Sequence, residues 1–246
     1  MIGIILVNKP AGMSSYHVVA RIKKLVGLKT KIGHAGTLDP FATGLLIIGI
    51  GREATCLLTR LTRCDKVYTA TGKLGETTDT LDCTGKIIEC SQHECSYAAI
   101  TSEALAEQCA KMVGPYEQIP PIYSALQYKG QRLYNLARKE HLPTDVLHEI
   151  AAQKKRTVTI HDLDLISTEL SLFSIRAHVS HGTYIRVLVD AIARGVGSCA
   201  YTTALERTAI GAFKSADAID VADLVSQEVL QSRLLSVEQI CECLVD

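Results

Sequence analysis

The feature that most constrains the fold is a strict alternation of apolar and polar residues over positions 173–180. The apolar members are Phe173, Ile175, Ala177 and Val179, and the polar members are Ser174, Arg176, His178 and Ser180. Successive side chains of a β-strand point to opposite faces, so this alternation predicts a half-buried strand. One face of that strand packs on a core.

The rest of the chain predicts strands and helices in an irregular order. Apolar and β-branched runs predict strands over 3–7, 44–50, 67–74, 86–89, 122–127 and 156–166. Helical spacing with start and stop signals predicts helices from Ser14 or Ser15 to Gly27 and over 53–61, 102–113, 131–139, 184–194, 221–231 and 237–244. The order lacks a strict βαβ rhythm, which favours an α+β fold on a mixed sheet.

Composition excludes several classes of protein. With 246 residues, 47% of them hydrophobic, the chain is neither disordered nor collagen-like. Its longest apolar run, Leu45–Gly51, is far shorter than the roughly 20 residues of a membrane helix. The nine cysteines are odd in number and form no CxxC pair, so they indicate neither a zinc site nor a disulfide framework. We therefore expect reduced thiols and a cytoplasmic protein that does not bind a membrane.

The zero net charge hides an uneven distribution. Residues 215–246 contain one base and seven acids, which leaves 25 bases and 19 acids, a net of +6, in residues 1–214. Two basic clusters stand out: five bases without an acid over Arg21–Lys31, and Lys154–Arg156. Each is a candidate contact for a polyanion, although a short basic run is also typical of a solvated helix face.

The segment GHAGTLDPFATGLL, Gly33–Leu46, is the densest cluster of special residues. A glycine-rich loop can cradle a phosphate, but this one has no lysine at its end, as the Walker pattern requires. His34 and Asp39 could bind a metal, yet no second His or Cys stands at ligand spacing. Asp39-Pro40 could also be an ordinary turn. Local spacing alone leaves these alternatives open.

Six segments, in order along the chain, resemble the TruB family of bacterial tRNA pseudouridine-55 synthases. They are VNKPAGMSS from Val7, GHAGTLDPFATGLL, DKVYTATGKLGETTDTLD from Asp65, IPPIYSALQYKGQRLYNLAR from Ile119, GTYIRVLVDAIA from Gly182 and LERTAIGAF from Leu205. The resemblance implies the pseudouridine synthase fold: an α+β protein with a mixed, mostly antiparallel sheet flanked by helices and a mobile insertion.

The resemblance also implies a reaction and its catalytic residues. Uridine 55 in the T loop of tRNA is isomerised: the C1′–N1 bond breaks and C1′ rejoins the base at C5, without metal or cofactor. Asp39 matches the family's catalytic carboxylate, expected as nucleophile at C1′; abstraction of a sugar proton is the alternative. Tyr68 matches the tyrosine that stacks on the uracil and is a candidate for removing the C5 proton. Arg186 matches the arginine that pairs with the aspartate.

Further positions match the family's substrate-binding residues. Tyr184 and Leu205 resemble residues of the uridine pocket, although Tyr68 and Leu205 also fit ordinary core positions. His34 matches the histidine that packs against the T loop when the nucleotide is flipped out. Lys9 is expected near the pocket, where it can support the charge of the aspartate. Asp82 resembles a polar residue on the RNA side of the site.

The expected organisation is a catalytic domain over 1–214 and a short acidic helical tail over 215–246. Residues 98–155 resemble the insertion that closes on RNA, with Lys129, Arg132 and Arg138 as candidate phosphate contacts. The family usually continues into a β-rich RNA-binding (PUA-type) module, which we do not expect here. The expected partner is the T stem-loop of tRNA, bound by a monomer that needs no protein partner.

Two other functions fit the resemblance. One is an RNA-binding protein that remodels the tRNA elbow without catalysis, but Asp39, Tyr68 and Arg186 are all present. The other is a guide-dependent synthase of the archaeal and eukaryotic type, but the insertion follows the bacterial pattern. The enzyme acting directly on tRNA is therefore the favoured hypothesis.

Overall fold

A computed structural model describes residues 1–88, 97–138 and 142–244 of the chain. In chain order the elements are β1 (Gly3–Lys9), α1 (Ser15–Val26), β2 (Ile32–His34), β3 (Thr43–Ile50), α2 (Arg52–Arg63), β4 (Lys66–Leu74), β5 (Thr77–Thr78), β6 (Ile87–Ile88), α3 (Ser102–Lys111), β7 (Gly114–Gln118), β8 (Gln127–Tyr128) and β9 (Gln131–Arg132). They continue with α4 (Leu133–Arg138), α5 (Thr144–Ala152), β10 (Arg156–Glu169), β11 (Leu172–Val179), α6 (Ile185–Gly195), β12 (Ala200–Ile210), β13 (Phe213–Lys214), β14 (Ile219–Asp220), α7 (Gln227–Ser232) and α8 (Val237–Glu242).

The chain forms two compact units, Met1–Thr69 with Leu205–Asp246, and Ala70–Ala204. We call them the first and the second unit. Strands β4 and β12 contribute residues to both, since the boundaries fall within these strands. Residues 215–244, which the sequence predicts as a tail, belong to the first unit.

The sheet of the first unit runs in the order β14, β1, β3, β12, β4, with β2 also paired to β3 and β13 to β12. Strands β1 and β3 are antiparallel over their full length, from Gly3 opposite Ile50 to Lys9 opposite Gly44. Strand β14 pairs in parallel with β1, and β12 pairs in parallel with β3. Strands β1 and β3 are therefore each hydrogen-bonded to a neighbouring strand on both sides.

The first unit buries both faces of this sheet. Side chains alternate along β1, so Ile4 packs with α2 and α8 on one face, while Ile5 packs with α1 and α7 on the other. Helix α1 starts at the Ser14 cap, whose side chain accepts from the backbone N–H of His17, and ends at Gly27, whose φ of 98° favours glycine. The predicted bounds of this helix are confirmed.

The second unit contains strands in the order β12, β4, β11, β10, β7. Strands β10 and β11 form a long antiparallel hairpin, and the predicted alternation is confirmed: Phe173, Ile175, Ala177 and Val179 are all buried. A Cβ at Gly72 would lie 2.6 Å from the ring of Phe173 and 2.7 Å from the side chain of Val189. Glycine on β4 therefore lets β11 and α6 pack closely.

Within the second unit, residues of 122–137 and 142–151 build a small core of their own. Ile122, Leu133, Leu136, Leu147 and Ile150 are among its buried residues. Strands β8 and β9 form a hairpin whose two-residue turn, Lys129-Gly130, has positive φ at both positions, 47° and 79°. That geometry is the type I′ turn favoured by the twist of hairpins. Lys129 is thereby placed at an exposed tip.

The α+β class and the mostly antiparallel sheet flanked by helices are confirmed. The strand predicted over 122–127 is wrong, because 122–126 is irregular and only Gln127 belongs to β8. The helix predicted over 221–231 is correct only in its second half, because a 3-10 turn at Val221–Asp223 precedes α7. Several bounds shift: α3 ends at Lys111 and β9 precedes α4. Strand β6 covers two residues of the strand predicted over 86–89. Glu89, the last residue of that predicted strand, and Lys139, the last residue of the helix predicted over 131–139, lie outside the described residues. Strands β7 and β12 and helix α5 were not predicted.

Candidate active site

Asp39 lies in the segment 35–42 of the first unit, which joins the antiparallel strands β2 and β3. Ala35, Leu38 and Ala42 are buried, whereas Asp39 is partly exposed. The backbone N–H of Ala42 donates to the carbonyl of Asp39 over 3.1 Å and closes a turn. The loop thus anchors its apolar side chains in the core, whereas Asp39 stays partly accessible.

Lys9 lies beneath this loop and is fully buried. Its Nζ donates to the carbonyls of Pro10, Met13 and Pro40 over 2.8, 2.7 and 3.3 Å. Burial lowers the pKa of Lys9 from 10.5 to about 8; the Asp39 carboxylate opposes this shift and the Arg207 guanidinium adds to it. Lys9 thus contacts the carbonyl of Pro40, the residue after Asp39. Its expected role, support of the negative charge of the carboxylate, stays a prediction.

The N-terminal end of α1 fixes the residues on both sides of Asp39. The buried Ser15 hydroxyl accepts from the N–H of Leu38 over 2.9 Å and donates to the Leu38 carbonyl over 3.2 Å. The N–H of Gly12 donates to the carbonyl of Pro40 over 2.8 Å. Leu38 and Pro40 flank Asp39, so these contacts restrict where the carboxyl group can move.

Arg207 is a further anchor, and the sequence did not single it out. It lies on β12 with 1% of its surface exposed, donating from Nε to the carbonyl of Leu45 over 2.9 Å and from a terminal nitrogen to the carbonyl of Gly36 over 3.1 Å. Gly44 allows β12 to approach, because a Cβ there would lie 2.4 Å from the Arg207 carbonyl oxygen. Both ends of the Asp39 loop are therefore held by one guanidinium.

Three other predicted residues also belong to the first unit. Tyr68 is 9% exposed, on the same face of β4 as Lys66 and Ala70. Leu205 is buried, and its carbonyl accepts from the hydroxyl of Thr43 over 3.4 Å. His34 is partly buried on β2, opposite Ile48 of β3. Their roles toward a uridine remain predictions.

In the second unit, Arg186 lies in the first turn of α6 and forms an ion pair with Asp82 over 3.2 Å. Both side chains are nearly fully buried. Arg186 also donates to the carbonyls of Thr80 and Tyr123. Asp82 accepts in addition from the N–H and hydroxyl of Thr84. The sequence did not predict this pairing; the expected pairing of Arg186 with Asp39, which joins residues of the two units, stays a prediction.

Tyr184 is held by Gln118, which the sequence also missed. The buried Gln118 amide donates to the Tyr184 carbonyl over 3.0 Å and accepts from the Tyr184 N–H over 2.7 Å. The Arg156 guanidinium lies 4.9 Å from the centre of the Tyr184 ring, a cation–π contact. Gln118 thus fixes the backbone two residues before Arg186, and no local signal in the sequence marks it.

The chain matches the family described as "TruB family pseudouridylate synthase (N terminal domain)" over residues 23–185, more than half of its length. The chain belongs to the TruB family. The tRNA pseudouridine synthase B of Syntrophotalea carbinolica is 41% identical over 241 residues, which cover 97% of this chain and 74% of that protein. The tRNA pseudouridine synthase B of Bordetella pertussis is 38% identical over 238 residues, covering 97% and 93%.

Two solved structures of larger assemblies each contain a chain that is similar to this TruB-family chain. A crystal structure of a Cbf5–Nop10–Gar1 complex matches with a TM-score of 0.71 and 25% identity, covering 98% of this chain and 62% of that chain. The structure of an H/ACA RNP bound to a substrate RNA containing 2′-deoxyuridine matches with a TM-score of 0.67 and 25% identity, covering 98% and 61%. The pseudouridine synthase fold is therefore shared with these proteins.

The remaining features of the TruB-family chain concern metals, membranes and the insertion. Over the described ranges, no group of three or more His, Cys, Asp or Glu residues could hold a metal ion. In the same ranges, no helix is both long and apolar enough to cross a membrane. Lys129, Arg132 and Arg138, the candidate phosphate contacts, are all exposed. Their contact with RNA stays a prediction.

Proposed function

We propose that this protein isomerises uridine 55 in the T loop of tRNA to pseudouridine. The observation that carries the proposal is the Asp39 loop: a partly exposed carboxylate on a segment that Lys9, Ser15 and Arg207 fix from below. Family membership and relatives named tRNA pseudouridine synthase B support the same reaction. A fixed anion is what a reaction that passes through an electron-poor sugar carbon requires.

The reaction needs no outside reagent. The C1′–N1 bond of the uridine breaks, the uracil turns, and a bond forms between C1′ and C5. The proton on C5 is lost and N1 gains one, so the atoms of the nucleoside balance. In our favoured path Asp39 attacks C1′ as the C1′–N1 bond breaks, and the bond between its carboxylate oxygen and C1′ breaks in turn when C1′ bonds to C5. In the alternative Asp39 removes a sugar proton and returns it after the C1′–C5 bond has formed. Lys9 maintains the negative charge that either path uses.

The resemblance assigns further roles to residues of each unit, which we propose unit by unit. Tyr68 stacks on the uracil and accepts the C5 proton, and Leu205 forms a wall of the pocket. In the second unit, Asp82 contacts Arg186 and Gln118 contacts Tyr184. The resemblance assigns Arg186 to pairing with the catalytic aspartate and Tyr184 to the uridine pocket. His34 fills the space that the flipped nucleotide leaves, which offsets part of the unstacking free energy.

The proposed partner is the T stem-loop of tRNA, which residues 98–155 bind. Lys129, Arg132 and Arg138 in this segment are exposed and can form ion pairs with RNA phosphates. We propose a catalytic domain over 1–214 followed by an acidic segment that packs within the first unit, acting as a cytoplasmic monomer. The likeness to the Cbf5–Nop10–Gar1 complex supports a second candidate, a guide-dependent synthase acting with protein partners. The two candidates differ in whether free tRNA is a substrate.

The test is to incubate the protein alone with an unmodified tRNA transcript and locate pseudouridine by chemical labelling and primer extension. A tRNA with cytidine at position 55 is the control. A single modified site at position 55, absent from the control, is the expected result. Product only after a guide RNA and partner proteins are added would favour the second candidate. Tight binding without product under both conditions would favour an RNA-binding protein and contradict both.

A further inference from the structure

The solvent face of α1 and the turn after it carry positive charge that the catalytic site does not use. On α1 the exposed positions follow helical spacing and include His17, Arg21 and Lys24. The turn adds Lys29 and Lys31, both exposed. We define these five residues as the α1 face.

The cations of the α1 face lack acidic partners within the described residues. Neither Lys24, Lys29 nor Lys31 lies within salt-bridge distance of a described carboxylate, and Arg21 donates only to the carbonyl of Ala222. A lysine in the last turn stabilises the helix dipole, which accounts for Lys24. It does not account for Lys29 and Lys31, which lie beyond the helix.

Helix α1, which carries most of the α1 face, begins beside the Asp39 loop. Ser15, the first residue of α1, binds Leu38, next to Asp39. With a rise of 1.5 Å per residue, Lys24 lies about 13 Å farther along the helix. A charged surface at that distance lies outside the reach of the reacting nucleotide. It lies within the reach of the RNA that continues from it.

We infer that the α1 face binds the phosphate backbone of the RNA stem next to the target loop. This inference rests on the proposed function and names a second RNA contact besides the insertion. A membrane fits less well, because the apolar face of α1, with Val18 and Ile22, packs into the core. Among the described residues of this region, only Tyr16 and Leu28 are exposed large hydrophobic residues, too few for an apolar face that inserts into lipid.

One flank of the α1 face is acidic. The segment 221–227 lies along α1, where Arg21 donates to Ala222 over 3.4 Å and the Gln227 amide donates to the carbonyl of Leu25. Its Asp223 is exposed. Because a carboxylate repels phosphate, RNA should approach from the other flank, and removing the Asp223 charge should strengthen binding.

The experiment measures the Kd for unmodified tRNA against salt concentration in an Asp39→Asn background, so that no turnover occurs. The test variant is Lys24→Gln/Lys29→Gln. The control, Arg52→Gln/Arg63→Gln, removes two exposed charges from α2, which packs on the opposite face of the same sheet. Each lost phosphate contact reduces the slope of log K against log salt by about 0.7–0.9. We expect the slope to fall by about 1.4–1.8 in the test variant and by less than about 0.5 in the control.

At about 0.1 M salt the same slopes correspond to affinity about 25- to 60-fold weaker for the test variant. Asp223→Asn should bind tighter than its parent. The two lysine changes in the otherwise wild-type enzyme should raise KM and leave kcat unchanged. Equal slopes for the test and control variants, or a fall in kcat with unchanged Kd, would overturn the inference. It would also be overturned if the test variant lost binding to anionic vesicles but bound tRNA as tightly as its parent. If the unsubstituted protein makes no pseudouridine, the proposed function fails, and that measurement is independent of the salt slopes measured in the Asp39→Asn background.

Discussion

Ser15→Ala tests how the Asp39 loop is held. The change removes one oxygen, and with it the acceptor of the Leu38 N–H at 2.9 Å. Leu38 is buried, so its N–H finds no water, and an unsatisfied buried donor costs about 1–3 kcal/mol. Leu38 precedes Asp39, and a displacement of about 1 Å in a catalytic group can lower a rate about 100-fold. We expect a loss of about 1–3 kcal/mol in the free energy of unfolding and a 10- to 100-fold lower kcat.

Ser14→Ala is the matched control, because Ser14 caps the same helix without contacting the loop. Loss of an N-cap costs about 0.5–2 kcal/mol, so both variants should lose similar stability in urea denaturation. Single-turnover formation of pseudouridine should separate them: slow for Ser15→Ala and near the wild-type rate for Ser14→Ala. Equal rates for the two variants would refute the idea that the Ser15 contact positions Asp39.

Three further changes test other parts of the structure. Asp82→Asn removes the anion paired with buried Arg186, so we expect about 3 kcal/mol less stability and at least 10-fold slower single-turnover catalysis with tRNA affinity retained; an unchanged rate would contradict this role. The pKa of Lys9 is lowered from 10.5 to about 8, so the unfolded chain binds more protons between these values and Lys9 contributes more stability as the pH rises. Lys9→Met should therefore fall further below the wild type at pH 9.5 than at pH 7.5 in urea denaturation, and a gap that narrows would be inconsistent with that sign. Deleting 219–246 removes five described buried aliphatic side chains, Ile240 among them, worth about 8–15 kcal/mol, so the cooperative thermal transition should disappear.

Elements with local signals were predictable from the sequence. Helix α1 has a serine cap, one apolar face and a terminal glycine, and the alternation in β11 matches its buried side chains. Asp39, Lys9 and the glycines of the loop were found by resemblance, because local spacing did not distinguish a catalytic loop from an ordinary turn. The structure adds the hydrogen bonds that hold the loop.

Segments whose partners are distant in sequence were not predictable. The apolar residues of 122–127 suggested a strand, but three backbone carbonyls of this segment accept other hydrogen bonds. The carbonyl of Tyr123 accepts from the Arg186 guanidinium. The carbonyls of Ser124 and Leu126 accept from the backbone N–H groups of Tyr134 and Leu133. A strand there would need those carbonyls for a ladder. The predicted helix over 221–231 is interrupted because Ser226 caps a new helix, α7.

Arg207 could have been found if β12, which the sequence analysis missed, had been recognised as a strand. Leu205 and Arg207 are two residues apart and therefore share a face, so a buried leucine predicts a buried arginine. A buried arginine requires acceptors, which are the carbonyls of Gly36 and Leu45. Gln118 has no such signal, because its partner Tyr184 is 66 residues away.

The central claim, that Asp39 drives uridine isomerisation, is tested most directly by tritium release from tRNA labelled at C5 of uridine. Formation of the C1′–C5 bond expels that hydrogen, so the wild-type protein should release one tritium per modified uridine. Asp39→Asn should release none while binding tRNA with a Kd within about threefold of the wild type, since the substitution keeps the shape of the side chain. Release by Asp39→Asn at the wild-type rate, or no release by a wild-type protein that binds the tRNA, would contradict the account.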